Sequence, residues 1–144
     1  MVRRIERIAA EIMGDKGASL IAGLEWAGTF HAIGARMLRQ QAPLIGLDPA
    51  FTLHDRADSE DLMGLVRHGL GLSQTEARFP GKGTCLAIYS RSVNAREPLD
   101  EVLKRFPWCA GWTAELGSLF AGYVEAKQSG QVLDYDDLLL YWAE

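Results

Sequence analysis

Nowhere in its 144 residues does the chain hold the ~18 consecutive apolar residues that a membrane-spanning helix needs, so no membrane partner is expected. Nor does the start of the sequence read as a secretory leader. Met1-Val2-Arg3-Arg4-Ile5-Glu6-Arg7 scatters charges where such a leader would be apolar, and a cytoplasmic protein is the expectation. Cysteine is scarce: Cys85 and Cys109 make neither a metal set nor a disulfide framework, and their apolar neighbours predict buried free thiols. His31, His54 and His68 lack ligand-like partners at short spacing, which leaves no zinc signature. An excess of positive charge is also lacking. Lys and Arg number 15 against 19 Asp and Glu, for a net charge of −4 and a pI of about 5.4. A free-standing, strongly basic nucleic-acid-binding domain is disfavoured, and any DNA contact must come from a local patch.

What is present is a series of amphipathic helices. Residues 2–13 place Ile5, Ile8, Ala9 and Ile12 on one stripe, with no residue able to cap the start. Leu24 to Phe30 reads as a short strand, and from Ala32 the period becomes helical until Pro43. Phe51-Thr52-Leu53 is a brief extended segment. Asp58-Ser59-Glu60-Asp61 is expected to open a helix closed by Gly69 and Gly71, its acidic first turn suiting the helix dipole. A third segment starts at Pro80-Gly81. A short helix lies between Pro98 and Pro107, and the longest helix runs from Trp112 to Lys127, ended by Gly130. A last helix follows Leu133, with Asp134 as N-cap and Asp137 at a capping-box spacing. It meets the chain end two residues after Trp142, uncapped, so both ends are expected to be cut from a larger protein.

Candidate chemistry is sparse. Gly81-Lys82-Gly83-Thr84 fails as a phosphate loop: position 76 is Glu, and Lys82 is followed by Gly83 where a hydroxyl residue is needed. The pairs Glu60-Asp61 and Asp136-Asp137 could hold a metal, but neighbours on a helix point about 100° apart, and helix-start capping accounts for both. Gly28-Thr29-Phe30-His31 offers more. A strand ending in Gly-Thr and passing into a helix leaves N–H groups that suit a phosphate, with Thr29 and His31 as added donors and Arg36 and Arg39 further on. The plainer alternative is a satisfied helix start with a half-buried histidine. Trp112 and Trp142 sit in apolar stripes and read as core. Arg91, Arg96, Lys104 and Arg105 read as a solvated face.

Three segments in order carry a resemblance. Gly28-Thr29-Phe30-His31-Ala32-Ile33-Gly34 with Arg36-Met37-Leu38-Arg39 resembles the "TFH" motif and following helix of UvrD/Rep/PcrA-type superfamily 1 DNA helicases. Ile45-Gly46-Leu47-Asp48-Pro49-Ala50-Phe51-Thr52-Leu53 is similar to that family's turn and extended segment. Leu133-Asp134-Tyr135-Asp136-Asp137-Leu138-Leu139 is similar to its "LDFDDLL" segment. The resemblance covers nearly the whole chain and implies a mainly α fold. Residues 1–30 would be a helix-and-strand remnant of a RecA-like P-loop α/β motor domain, 1A. Residues 31–133 would form helical insertion subdomain 1B, and 134–144 a helix returning to 1A.

The resemblance also implies a parent enzyme that uses ATP and Mg²⁺ to move 3′ to 5′ along single-stranded DNA in repair or replication. Its partners would be single-stranded DNA, a duplex junction and the remaining helicase domains. This piece, lacking the phosphate-binding loop and the acidic DExxD-type motif, is expected to hold no cofactor and no catalytic residue, and to be inactive alone. DNA-binding roles fall by resemblance on Thr29 and His31, with Arg36 on the following helix. Where relatives often carry a lysine before an asparagine, this chain reads Val93-Asn94, with Arg91 and Arg96 flanking as substitutes on the duplex side. The rival expectation is a stand-alone helical protein-interaction module without catalytic activity.

Overall fold

The computed structural model describes residues 29–75 and 78–143. The chain divides into two compact units, Met1–Met37 and Leu38–Glu144. The expected helix at 2–13 and most of the expected strand at Leu24–Phe30 lie outside the described residues. That strand does not reach Phe30, because helix α1 spans Phe30–Gln41. Thr29 caps it: the Thr29 hydroxyl accepts the Ala32 amide at 3.3 Å, and the Thr29 carbonyl accepts the Ile33 amide at 3.0 Å. One orphan donor of the first turn is thereby satisfied. A 3-10 turn over Ala42–Leu44, with Pro43 inside it, ends the helix where the sequence places the stop.

The second unit is mainly helical with one small parallel sheet. Strand β1 is Thr52–Leu53, and helix α2 is Arg56–Gly69. Helix α3 is Lys82–Ala95, α4 is Leu99–Leu103, and a 3-10 segment covers Pro107–Trp112. Helix α5 is Thr113–Ser129, β2 is Val132–Leu133 and α6 is Tyr135–Ala143. The strand pair sets Thr52 opposite Val132 and Leu53 opposite Leu133. Periodicity does not announce β2, because its partner lies some eighty residues away and two residues are too few to show alternation.

Helix α2 begins earlier than its acidic run suggests. Asp55 is the N-cap and Asp58 the third residue, each side chain accepting the other's backbone N–H in a capping box. Glu60 and Asp61 are therefore not capping residues; Glu60 pairs with Arg56 at 3.1 Å and Asp61 with Lys82. Gly81 is the N-cap of α3, so the Gly81-Lys82-Gly83-Thr84 stretch is a helix start, as its spacing requires.

The main core gathers Met63 from α2, Cys85, Leu86, Ile88 and Tyr89 from α3, and Val102 and Leu103 from α4. Leu116, Leu119 and Tyr123 of α5 join them, spaced three and four apart as a buried helical stripe demands. Helices α2 and α5 approach closely at Gly122, where an added Cβ would stand 2.9 Å from Val66 Cγ1. Both cysteines are buried and free, as expected, and desolvation pushes the Cys85 thiol up to about 11. Trp112 is partly buried against this core, edge-on to Phe79 at 5.3 Å between centroids. A smaller cluster joins Leu38, Phe51, Leu133 and Leu138, so the strand pair seats the start of α6 against the end of α1.

Candidate nucleic-acid interface

Helix α6 starts from a polar cluster inside the protein. Asp134 and Asp137 form the anticipated capping box: the Asp137 amide donates to Asp134 Oδ1 and the Asp134 amide to Asp137 Oδ2, both at 2.9 Å. Between them sits Lys127, only 3% exposed, whose Nζ lies 2.8 Å from Asp134 Oδ2 and 2.8 Å from both Asp137 oxygens. Tyr123 donates its hydroxyl to Asp134 Oδ2 at 2.9 Å, and Lys127 also donates to the Tyr89 hydroxyl at 3.3 Å. The ammonium stands 5.0 Å from the Tyr123 ring centroid and 5.2 Å from that of Tyr89, within cation–π range.

Burial alone would lower the Lys127 pKa, but the Asp134 and Asp137 carboxylates outweigh it and hold the lysine above its ordinary value. Burial likewise pushes at Asp134, yet the Lys127 ammonium and the hydrogen bonds received there hold it below the carboxylate range. Asp137 moves upward, through burial and the neighbouring Asp134 charge acting against Lys127. Two carboxylates share one ammonium, and the amides of the first turn of α6 with their helix dipole offset the surplus negative charge. Asp136, on the other side of the turn, accepts from Ser90 and from Asn94 Nδ2 (2.7 Å), tying α6 to α3. The aspartates of the Leu133-to-Leu139 segment thus do architectural work, with every carboxylate occupied. Sequence reading passes over Lys127, although it continues the stripe Leu116, Leu119, Tyr123 by one more turn. A lysine in the next place of an apolar stripe is the available signal for a buried cation.

The residues singled out for DNA stand elsewhere. Thr29, exposed, is the N-cap of α1, so its hydroxyl already serves the helix start; His31 lies in the first turn, half-buried. Arg36 is exposed on the same helix. Arg91 and Arg96 fall near the end of α3, both exposed. Arg91 Nε is 3.8 Å from Glu97 Oε2, which Arg105 also meets at 3.3 Å. Arg91 lines a cleft of about 360 Å³ with Ser90, Asn94 and Ala95. Arg96 occupies the left-handed C-cap of α3 at φ 52°, a conformation that favours glycine. Among the described residues no group of three or more His, Cys, Asp or Glu could hold a metal ion, and no helix is long and apolar enough to cross a membrane.

The second unit is thus mainly helical and stapled by a two-strand parallel sheet, with a buried Lys–Asp–Asp helix start and arginines on its surface. The whole sequence matches the family described as the UvrD/REP helicase N-terminal domain over residues 1–144, and the chain belongs to that family. It is 29% identical over 135 residues to the ATP-dependent DNA helicase UvrD1 of Mycobacterium bovis, covering 93% of this chain and 16% of the relative. It is 28% identical over 137 residues to the ATP-dependent DNA helicase PcrA of Leuconostoc citreum, covering 94% and 17%. To the ATP-dependent DNA helicase PcrA of Staphylococcus aureus it is 23% identical over 138 residues, covering 96% and 18%. The chain therefore spans about a sixth of the length of these curated relatives. No solved structure matches it.

Proposed function

We propose that this chain is a DNA-contacting part of an ATP-dependent DNA helicase, and that the match to the helicase family across all its residues is the observation that carries the reading. The parent couples ATP hydrolysis, with Mg²⁺, to movement 3′ to 5′ along single-stranded DNA in repair or replication. Residues 31–133 act as helical subdomain 1B, and residues 1–30 and 134–144 as portions of motor domain 1A. With no Gly-x4-Gly-Lys-Ser/Thr loop of its own, the chain does not turn over ATP alone.

Thr29, His31 and Arg36 meet the single strand, and Arg91 and Arg96 meet phosphates on the duplex side. Exposed guanidiniums suit this role because each phosphate neutralised releases a counterion, giving an affinity that falls with salt. Arg91 exchanges its long contact with Glu97 for a phosphate.

Fluorescence anisotropy with a labelled single strand, at low and then higher salt, tests the reading. Salt-sensitive binding that weakens in Thr29→Ala/His31→Ala, while Thr29→Ser keeps both the cap and the affinity, is the expected result. Absence of binding at low salt would refute a DNA-contacting role for the chain by itself.

A further inference from the structure

Most arginines of the second unit have acceptors. Arg56 meets Glu60, Arg91 and Arg105 meet Glu97, and Arg39 donates to the Phe51 carbonyl. Arg67, Arg78 and Arg96 form no such contact among the described residues, and the first two stand together. Both line a cleft of about 390 Å³ beyond the end of α2, together with Ser73, Thr75 and Phe79. The Arg67 Nε–H is buried without an acceptor, and its guanidinium lies over the Phe79 ring, 5.8 Å from the centroid. Neither arginine forms an ion pair among the described residues, and no described acidic residue lines the cleft.

We propose that Arg67 and Arg78 form a phosphate-binding site in this cleft. Two guanidiniums lining one cleft with no described acidic residue beside them leave positive charge that an anion can neutralise. Guanidinium forks recognise oxyanions in a bidentate way, and two of them favour an anion with more than two oxygens over a carboxylate. Phe79 holds the Arg67 fork in place, while exposed Arg78 closes on the anion from solvent. The phosphate can come from a nucleic-acid backbone or be free in solution. Only the first source rests on the helicase reading; the site itself does not.

The test follows the arginine Nε–H signals in ¹H–¹⁵N spectra of the whole chain titrated with inorganic phosphate. A saturable shift of the Arg67 signal is expected. Arg78→Gln should weaken it by roughly tenfold, the size of one lost charge-assisted hydrogen bond. Arg67→Lys keeps the stem and charge but loses the fork, and should remove saturation at Arg78 while the amide spectrum stays folded. Adding an unlabelled oligonucleotide then separates the sources: displacement of phosphate identifies a backbone phosphodiester, and its absence identifies free phosphate, the site standing in either case. No saturable shift in the folded chain, or one unchanged in Arg78→Gln, would overturn the proposal. Thr29→Ala/His31→Ala should leave the phosphate titration untouched, so failure of the helicase reading registers separately.

Discussion

Lys127, Asp134 and Asp137 keep their charges inside the helical core, whereas Arg36, Arg91 and Arg96 keep theirs in solvent. The inner set satisfies itself: every charged oxygen and the ammonium have close partners, and two tyrosine hydroxyls complete the network. The outer set is loosely held, with one ion pair among the described residues, at 3.8 Å from Arg91 to Glu97. Acidity in the family-like segment at 133–139 is thus structural, fixing where α6 begins. A charge that has already found its counter-charge in a dry interior has nothing to offer a ligand.

The comparison breaks most easily at Lys127. Lys127→Met leaves two carboxylates buried without a cation and should cost about 3–5 kcal/mol. Urea unfolding followed by circular dichroism would read this, and a loss within error of zero would mean that the cluster is solvated.

A finer division separates the two aspartates. Asp134, with its folded pKa depressed, contributes stability above the ordinary carboxylate value near 3.8 that is lost as pH falls through the lower folded value. Asp137, with its folded pKa raised, behaves oppositely. The folded state takes up its proton while the unfolded chain is still ionised, so stability rises as pH falls toward 3.8. In urea midpoints measured across pH, the advantage of the native chain over Asp134→Asn should shrink below pH 3.8. Its advantage over Asp137→Asn should grow between neutrality and that point. Parallel curves for the two variants would show that the carboxylates are equivalent.

The smallest effect is expected at the surface. Arg96→Gly removes a side chain from a left-handed cap and should stabilise the fold by up to about 1 kcal/mol while weakening DNA binding. Thermal unfolding and anisotropy on the same sample would check both signs. Stability and binding that fall together would instead give Arg96 a structural role.

How far these roles can be read in sequence follows from distance along the chain. The Asp134–Asp137 box was legible because capping is local, three residues apart. The same spacing at Asp55–Asp58 is obscured by the acidic run after it, which puts the expected opening at Asp58, two residues past the observed start at Arg56. Lys127 reaches Asp134 and Asp137 only after the chain turns through Gly130 and β2, and no local rule foretells that return. The β1–β2 pair fails for the same reason on a longer scale. The Thr29 cap belonged to the plainer of two readings of the TFH segment, since a hydroxyl before a helical period is a cap first and a ligand group second. The Arg67–Arg78 cleft had no sequence signal, being assembled by the turn after α2.

The claim that the outer arginines meet DNA phosphates is tested most directly by the salt dependence of binding to a single-strand–duplex junction in Arg36→Gln/Arg91→Gln/Arg96→Gln. Each lost phosphate contact should lower the slope of log affinity against log salt by about 0.7 on the single strand and about 0.9 on the duplex, so the triple change should flatten it by roughly 2.5. An unchanged slope in a variant that folds like the native chain would contradict the account.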